Sequence, residues 1–430
     1  MNVARIAFAL LLSFSISALS LQAAEQLIEE RSLDELGFQR FWELELDLDR
    51  GGAATDAFLV DDTLYVMTDK GSVHAVHAGV GLSRWSQNFT TSAFRVFRPY
   101  HFQLENGEML AVFSTAARTI IVDRYAGDIV GDFPLDKAMS SPTIADATNI
   151  YFGSADGHMY AMIWRDTPRH EAVNRWRVMA GGPVTSTPVL TDAGENLVFA
   201  SQGGSVYSCT AQFKVFNWEF KSNGPIIGDF FVDPSGIYVA STDRSLYRLD
   251  AGSGVAEWRV RFPEPLREGP VVMGRTVYLN VPGEGLAAVD ADRGTVLWNN
   301  ADAQHLLCST VDRIYAMTDR NRILSIDAAT GKTLQSITPN APLIPVRNLA
   351  DDSIYLVNSR GGILCARPSG TPYLTPDQVE SARVDLRKPP VAVGEAAASD
   401  EPRPLESKRG VVDLDDPLRS NSDTGAGGVN

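Results

Sequence analysis

The chain repeats itself at a spacing of about forty residues, and few architectures can absorb a repeat of that length. Tyr65, Tyr238, Tyr278, Tyr315 and Tyr355 each follow a Leu, Ile or Val and open a short β-forming run. Twelve residues beyond Tyr238, Tyr278 and Tyr315 stand Asp250, Asp290 and Asp327, and His77 holds that place after Tyr65. Thirteen residues on are Ala78, Ala251, Ala291 and Ala328; sixteen on are Gly81, Gly254, Gly294 and Gly331. Twenty on are Trp85, Trp258 and Trp298, with Gln335 in the fourth copy. These copies superimpose without gaps.

Weaker copies obey the same ruler. Tyr151 opens one with an insertion before Trp176, and Val198 opens another with Trp218 twenty residues later. Ala111 opens a third, with Asp123 at twelve and Gly127 at sixteen. The eight reference positions lie 37 to 47 residues apart.

Within a unit the order is an apolar run such as Val271 to Met273, a turn, and a second run such as Val277 to Asn280. A Gly-rich hairpin follows (Asp156-Gly157, Gly203-Gly204, Gly361-Gly362), where positive φ is needed. A third run, an Asp-Ala-x-x-Gly turn and a fourth run at Trp complete it. Four antiparallel strands per repeat predict an all-β, eight-bladed β-propeller over residues 38–368. The last unit, at Tyr355, has no Trp-bearing strand after it, whereas Trp42 precedes the first unit. Residues from Phe41 to Leu48 are therefore expected to complete the eighth blade from the N-terminal side and remove the open edge. Trp42, Trp85, Trp176, Trp218, Trp258 and Trp298 would wedge between blades; Trp164 stands outside the pattern.

The ends differ in composition. Arg5, the apolar run Ile6 to Leu12 and small residues around Ala23 and Ala24 give residues 1–24 the form of a signal peptide. The run is shorter than the ~20 residues of a membrane span, so cleavage is expected, with no transmembrane segment afterwards. The three cysteines, Cys209, Cys308 and Cys365, form no CxxC and are read as small buried hydrophobes. Residues 376–430, acidic and Pro-rich and without aromatics, are expected to be a disordered tail. A net charge of −15 opposes nucleic-acid binding, which needs clustered Lys and Arg.

The units Leu249 to Trp258 and Ala288 to Trp298 resemble the quinoprotein-like (PQQ-like) propeller repeat, Ala-x-Asp-x-x-x-Gly-x-x-x-Trp. One branch of that family holds quinone-dependent dehydrogenases; another holds non-catalytic envelope scaffolds such as the outer-membrane assembly factors of the BamB type. In size and in its minimal blades this sequence resembles the second. That resemblance implies a non-enzymatic periplasmic or secreted scaffold binding protein partners, including a role in envelope assembly. The sequence departs from those lipoproteins in lacking an acylated cysteine and in carrying the acidic tail. The first branch gives the alternative, a PQQ-dependent oxidoreductase acting on alcohols or sugars, with calcium held by Glu, Asn and Asp. Its frequent adjacent cysteine pair and long insertions are missing here. No catalytic, cofactor-binding or metal-binding residue is assigned.

Asp250, Asp290 and Asp327 are read as turn carboxylates because they recur at one motif position. His74 and His77, three apart in a strand, should face opposite ways and share no metal. The cations Lys70, Arg244, Arg320, Arg322 and Arg360 fall in equivalent hairpins and are read as a rim for a protein partner on an otherwise acidic molecule.

Overall fold

Residues 26–92, 94–165 and 171–385 are described by a computed structural model. The signal peptide expected at 1–24 lies outside the described residues, as does the tail from 386 onward.

Eight four-stranded antiparallel sheets follow one another, each in simple up-and-down order. Blade 1, for example, comprises Ala54–Val60, Thr63–Thr68, Ser72–His77 and Leu82–Asn88. Only blade 8 breaks the sequential order. Its strands Leu343–Pro345, Ile354–Asn358 and Gly362–Pro368 are completed by Phe38–Glu45, with Trp42 opposite Cys365. The N-terminal latch expected from Trp42 is therefore present.

Alternation explains why the middle strands are apolar on both faces. In Thr63–Thr68 every residue is buried: Leu64 and Val66 pack toward blade 8, Tyr65 and Met67 toward blade 2. The core is accordingly eight apolar layers, one at each junction between neighbouring blades. Burial fades outward, so that fourth strands such as Phe216–Lys221 alternate exposed and half-buried residues. A β-bulge interrupts the pairing just before the Trp row in every blade, for instance between Ala75 and Val76 and between Ala288 and Val289. In blade 8 the same bulge falls between Arg40 and Trp42. The extra residue re-aims the strand, which is why Trp falls twenty residues after the reference position.

Three details differ from the sequence reading. In blade 2 the pairing row runs Gly131, Ile121, Val112, so the equivalent of Tyr65 is Val112 and not Ala111. The hairpin between its second and third strands is one residue shorter than in blade 1, and a ruler fixed on Asp123 slips by that residue. Second, a helix at Glu30–Leu36 precedes the latch strand. It buries Leu33 and Leu36 and ends at Gly37, whose left-handed φ of 87° lets its N–H reach the Asp34 and Leu33 carbonyls. Third, Pro376–Asp385 is a helix at the start of the segment expected to lack regular structure.

Candidate functional site

The recurrent residues act at the blade junctions. Each of six tryptophans donates its indole N–H to a backbone carbonyl of the next blade, at 2.8–3.0 Å: Trp42 to Ala78, Trp85 to Arg124, Trp176 to Ala211, Trp218 to Ala251, Trp258 to Ala291 and Trp298 to Ala328. The motif glycine forms the seat for the ring. A Cβ on Gly331 (φ +71°) would sit 2.5 Å from the Trp298 ring, and one on Gly81 (φ +70°) equally close to Trp42. The motif carboxylates cap the turn that carries the seat. Asp250 accepts from the Ser253 N–H, Asp290 from Asp292 and Arg293, and Asp327 from Thr330. Asp250, Asp290 and Asp327 are thus turn residues, as their repetition suggested.

Two junctions lack the tryptophan. Between blades 2 and 3 its place is Gly131, and Trp164 enters from blade 3, edge-on to Phe102 and Phe133 of blade 2. Trp164 stands where other blades have the motif alanine, so the residue that escaped the pattern restores the layer from the opposite side. Between blades 7 and 8 the place is Gln335. There Leu33 and Leu36 of the N-terminal helix fill the layer with Phe38, whose ring meets Tyr315 edge-on at 4.8 Å. The Tyr315 hydroxyl donates to the Leu36 carbonyl at 3.0 Å.

One polar cluster escaped the sequence reading. Between blades 1 and 2 the Tyr65 hydroxyl meets His101 Nε2 at 2.7 Å, and His101 Nδ1 meets Asp61 at 2.8 Å. Beside them Asp62 pairs with Arg84 at 2.9 Å and with Arg124. Both guanidinium groups lie near the Tyr125 ring, with side chains only 2% and 6% exposed. Burial pushes His101 below the ordinary histidine value against the pull of Asp61. A neutral His101 donating from Nδ1 to Asp61 and accepting the Tyr65 hydroxyl at Nε2 satisfies both contacts. The hydrogen bond from His101 holds the Asp61 carboxyl low. Burial raises Asp62, but Arg84 and Arg124 outweigh it. The signal was His77 and Arg124 standing where other units carry Asp and Ala.

Around the axis, Arg347 of blade 8 senses Arg98 from blade 2, Asp229 from blade 5 and Glu268 from blade 6. Groups from such distant blades meet only where the innermost strands converge. Crowding by the surrounding protein depresses the Arg347 guanidinium first, although the residue keeps exposed surface, and the like charge of Arg98 adds to it, against Glu268 and Asp229.

His74 pairs across the sheet with Val66 and His77 with Thr63, and burial lowers both. The His77 ring accepts the Gly79 N–H. Among the described residues no group of three or more His, Cys, Asp or Glu is arranged to hold a metal, and no helix is long and apolar enough to cross a membrane. Cys209, Cys308 and Cys365 are buried and free; burial pushes the thiols of Cys209 and Cys365 up to about 12.

The cations of the expected rim are all exposed and lie in hairpins joining second to third strands. Lys70, Arg360, and Arg320 with Arg322 belong to blades 1, 8 and 7, which are consecutive around the ring. Arg244 stands apart in blade 5, with Glu284 in the corresponding hairpin of blade 6 between them. Arg244 adopts a left-handed φ of 70°, and Arg322 donates to the Ser336 hydroxyl.

A family model described as outer membrane protein assembly factor BamB matches residues 161–370. The beta-alanine-activating enzymes of Drosophila melanogaster and Danio rerio are each 25% identical, over 214 and 156 residues, or 44% and 31% of this chain. The chain spans only 20% and 14% of those proteins. Among solved structures, BamB from Moraxella catarrhalis superposes with a TM-score of 0.61 at 14% identity, covering 77% of this chain and 99% of that one. Saccharomyces cerevisiae Sqt1 gives 0.59 at 11% identity, with the same coverages. The designed protein Ika8 gives 0.57 at 11% identity, covering 75% of this chain and 98% of its own. With the repeat register and eight four-stranded blades in agreement, the chain is an eight-bladed β-propeller whose residues 161–370 match a model of the quinoprotein-like (PQQ-like) repeat family.

Proposed function

We propose that the chain is a non-enzymatic scaffold of the cell envelope, periplasmic or secreted, that binds protein partners through its hairpins and outer strands. The match of residues 161–370 to a family described as an outer-membrane assembly factor carries this reading. It is supported by the use made of the recurrent Asp, Gly and Trp side chains, which serve the ring's own junctions. Lys70, Arg320, Arg322 and Arg360, on consecutive blades, form one docking rim for an acidic partner surface, and Arg244 extends it on blade 5. No cofactor enters this reading.

Immobilised full-length protein, incubated with envelope extract with and without a crosslinker, is expected to retain a reproducible protein partner. Lys70→Glu with Arg320→Glu should reduce that recovery. Failure to recover any partner under both conditions would overturn the reading. So would dye reduction by the protein reconstituted with the quinone and calcium and given alcohols or sugars, which would establish the oxidoreductase instead.

A further inference from the structure

The junction between blades 2 and 3 is rebuilt from one side only, and it leaves a groove. At six junctions an indole from the outer strand covers the layer toward the next blade. Gly131 supplies no side chain, and the Phe133 ring lies 2.6 Å from where its Cβ would be. Trp164 fills the floor from blade 3 without covering the outside. The result is a surface groove of about 470 Å³ lined by Leu104, Ile129, Val130, Phe133 and Trp164. Phe133 and Trp164 are 4% and 5% exposed, whereas Ile129 and Val130, on the wall, are 52% and 53% exposed. Their strand, Ile129–Pro134, is the last of its sheet and pairs on one side only, so its outer backbone edge can accept another strand.

The charge around this groove indicates what fits it. Glu108 lines it, and Glu105 and Asp128 adjoin the lining residues Leu104 and Ile129. All three carboxylates are exposed and have no ion-pair partner among the described residues, whereas Asp132 is matched by Arg118, and Arg165 is the one cation among the described lining residues. Among the described residues the rim therefore carries an excess of negative charge over an apolar, aromatic floor.

We propose that this groove docks an extended segment of a protein partner, adding a strand beside Ile129–Pro134 with a large aromatic side chain over Phe133 and Trp164 and Lys or Arg against Glu105, Glu108 and Asp128. It rests on the scaffold reading and names one of its surfaces.

The probe is a fluorescently labelled peptide of about eight residues, the length of a strand, made of Val, Trp and Lys, titrated into the full chain and followed by anisotropy. Saturable binding is expected, weakened about tenfold or more by Val130→Lys and less by Glu108→Lys. A peptide with Glu in place of Lys should bind about tenfold more weakly. Both substituted positions are exposed, and an unchanged melting temperature confirms that each variant folds. No saturable binding, binding unaffected by Val130→Lys, or equal binding of the acidic peptide overturns the groove. Partner capture from envelope extract separates this from the scaffold reading. If the parent chain captures a partner but does not bind the peptide, the groove fails and the scaffold stands. If it captures nothing, the scaffold reading fails, and the peptide titration still decides the groove.

Discussion

Six junctions of the ring are closed by the same device, and two are closed by improvisation. At the regular junctions an indole donates to the following blade's carbonyl, and at five of the six it lies on a left-handed glycine (Lys214, also left-handed at φ 58°, holds that motif position in blade 4), so one side chain supplies both buried area and a directed hydrogen bond. At the junction of blades 7 and 8 a helix and Phe38 do the work, and at that of blades 2 and 3 Trp164 does it from the wrong blade. The improvised junctions show that the ring requires a filled layer rather than a particular residue. They also show where surface features arise: the helix brings the chain's N-terminal segment into the closure, and the displaced tryptophan leaves a groove.

The largest expected loss comes from a regular junction. Trp298→Ala empties a buried layer and leaves the Ala328 carbonyl without its donor, and should cost about 3–5 kcal/mol in the urea midpoint. Phe38→Ala at the improvised junction should approach the same figure, about 3–5 kcal/mol, because its ring is fully buried against Tyr315. A value under about 1 kcal/mol would show that the helix and latch do not carry closure. Gly331→Ala should cost about 2–4 kcal/mol, from the left-handed backbone and the displaced Trp298 ring together.

The smallest effect concerns the polar cluster between blades 1 and 2. Below about pH 6.5, the ordinary histidine value, the unfolded chain takes up a proton that folded His101 does not, so stability falls with falling pH. His74 and His77 are depressed by burial and act in the same direction. A second loss begins below about pH 3.9, where Asp61 and Asp62 protonate in the unfolded chain before they do in the fold. His101→Gln should flatten urea midpoints measured between pH 7 and pH 5. An unchanged slope would mean that His101 is not the buried neutral group described.

The regular device was legible in the sequence because each of its parts occupies a fixed offset: Asp250, Gly254 and Trp258 could be read against Asp290, Gly294 and Trp298 without knowing which blades touch. The latch followed from counting, since Trp42 was left over at one end and the unit at Tyr355 lacked a partner strand. What could not be read depended on spatial neighbours. Trp164 looked unattached because it fills a layer on the opposite side of its own blade from Trp176. The one-residue slip between Ala111 and Val112 arises from a hairpin length that the ruler could not see. Tyr65, Asp61 and His101 come from two blades and meet only at their junction, so no local spacing announces them. The cations of the expected rim were placed in equivalent hairpins, but their adjacency depends on blade order, which leaves Arg244 apart from the other four.

The central claim is that a filled layer, whichever blade supplies it, closes each junction. The most direct measurement is the urea unfolding of Trp164→Ala beside Trp298→Ala. Equal losses of about 3–5 kcal/mol, with unchanged m-values, are predicted. A loss under about 1 kcal/mol for Trp164→Ala alone would contradict the claim and make Trp164 a bystander at a junction held by other means.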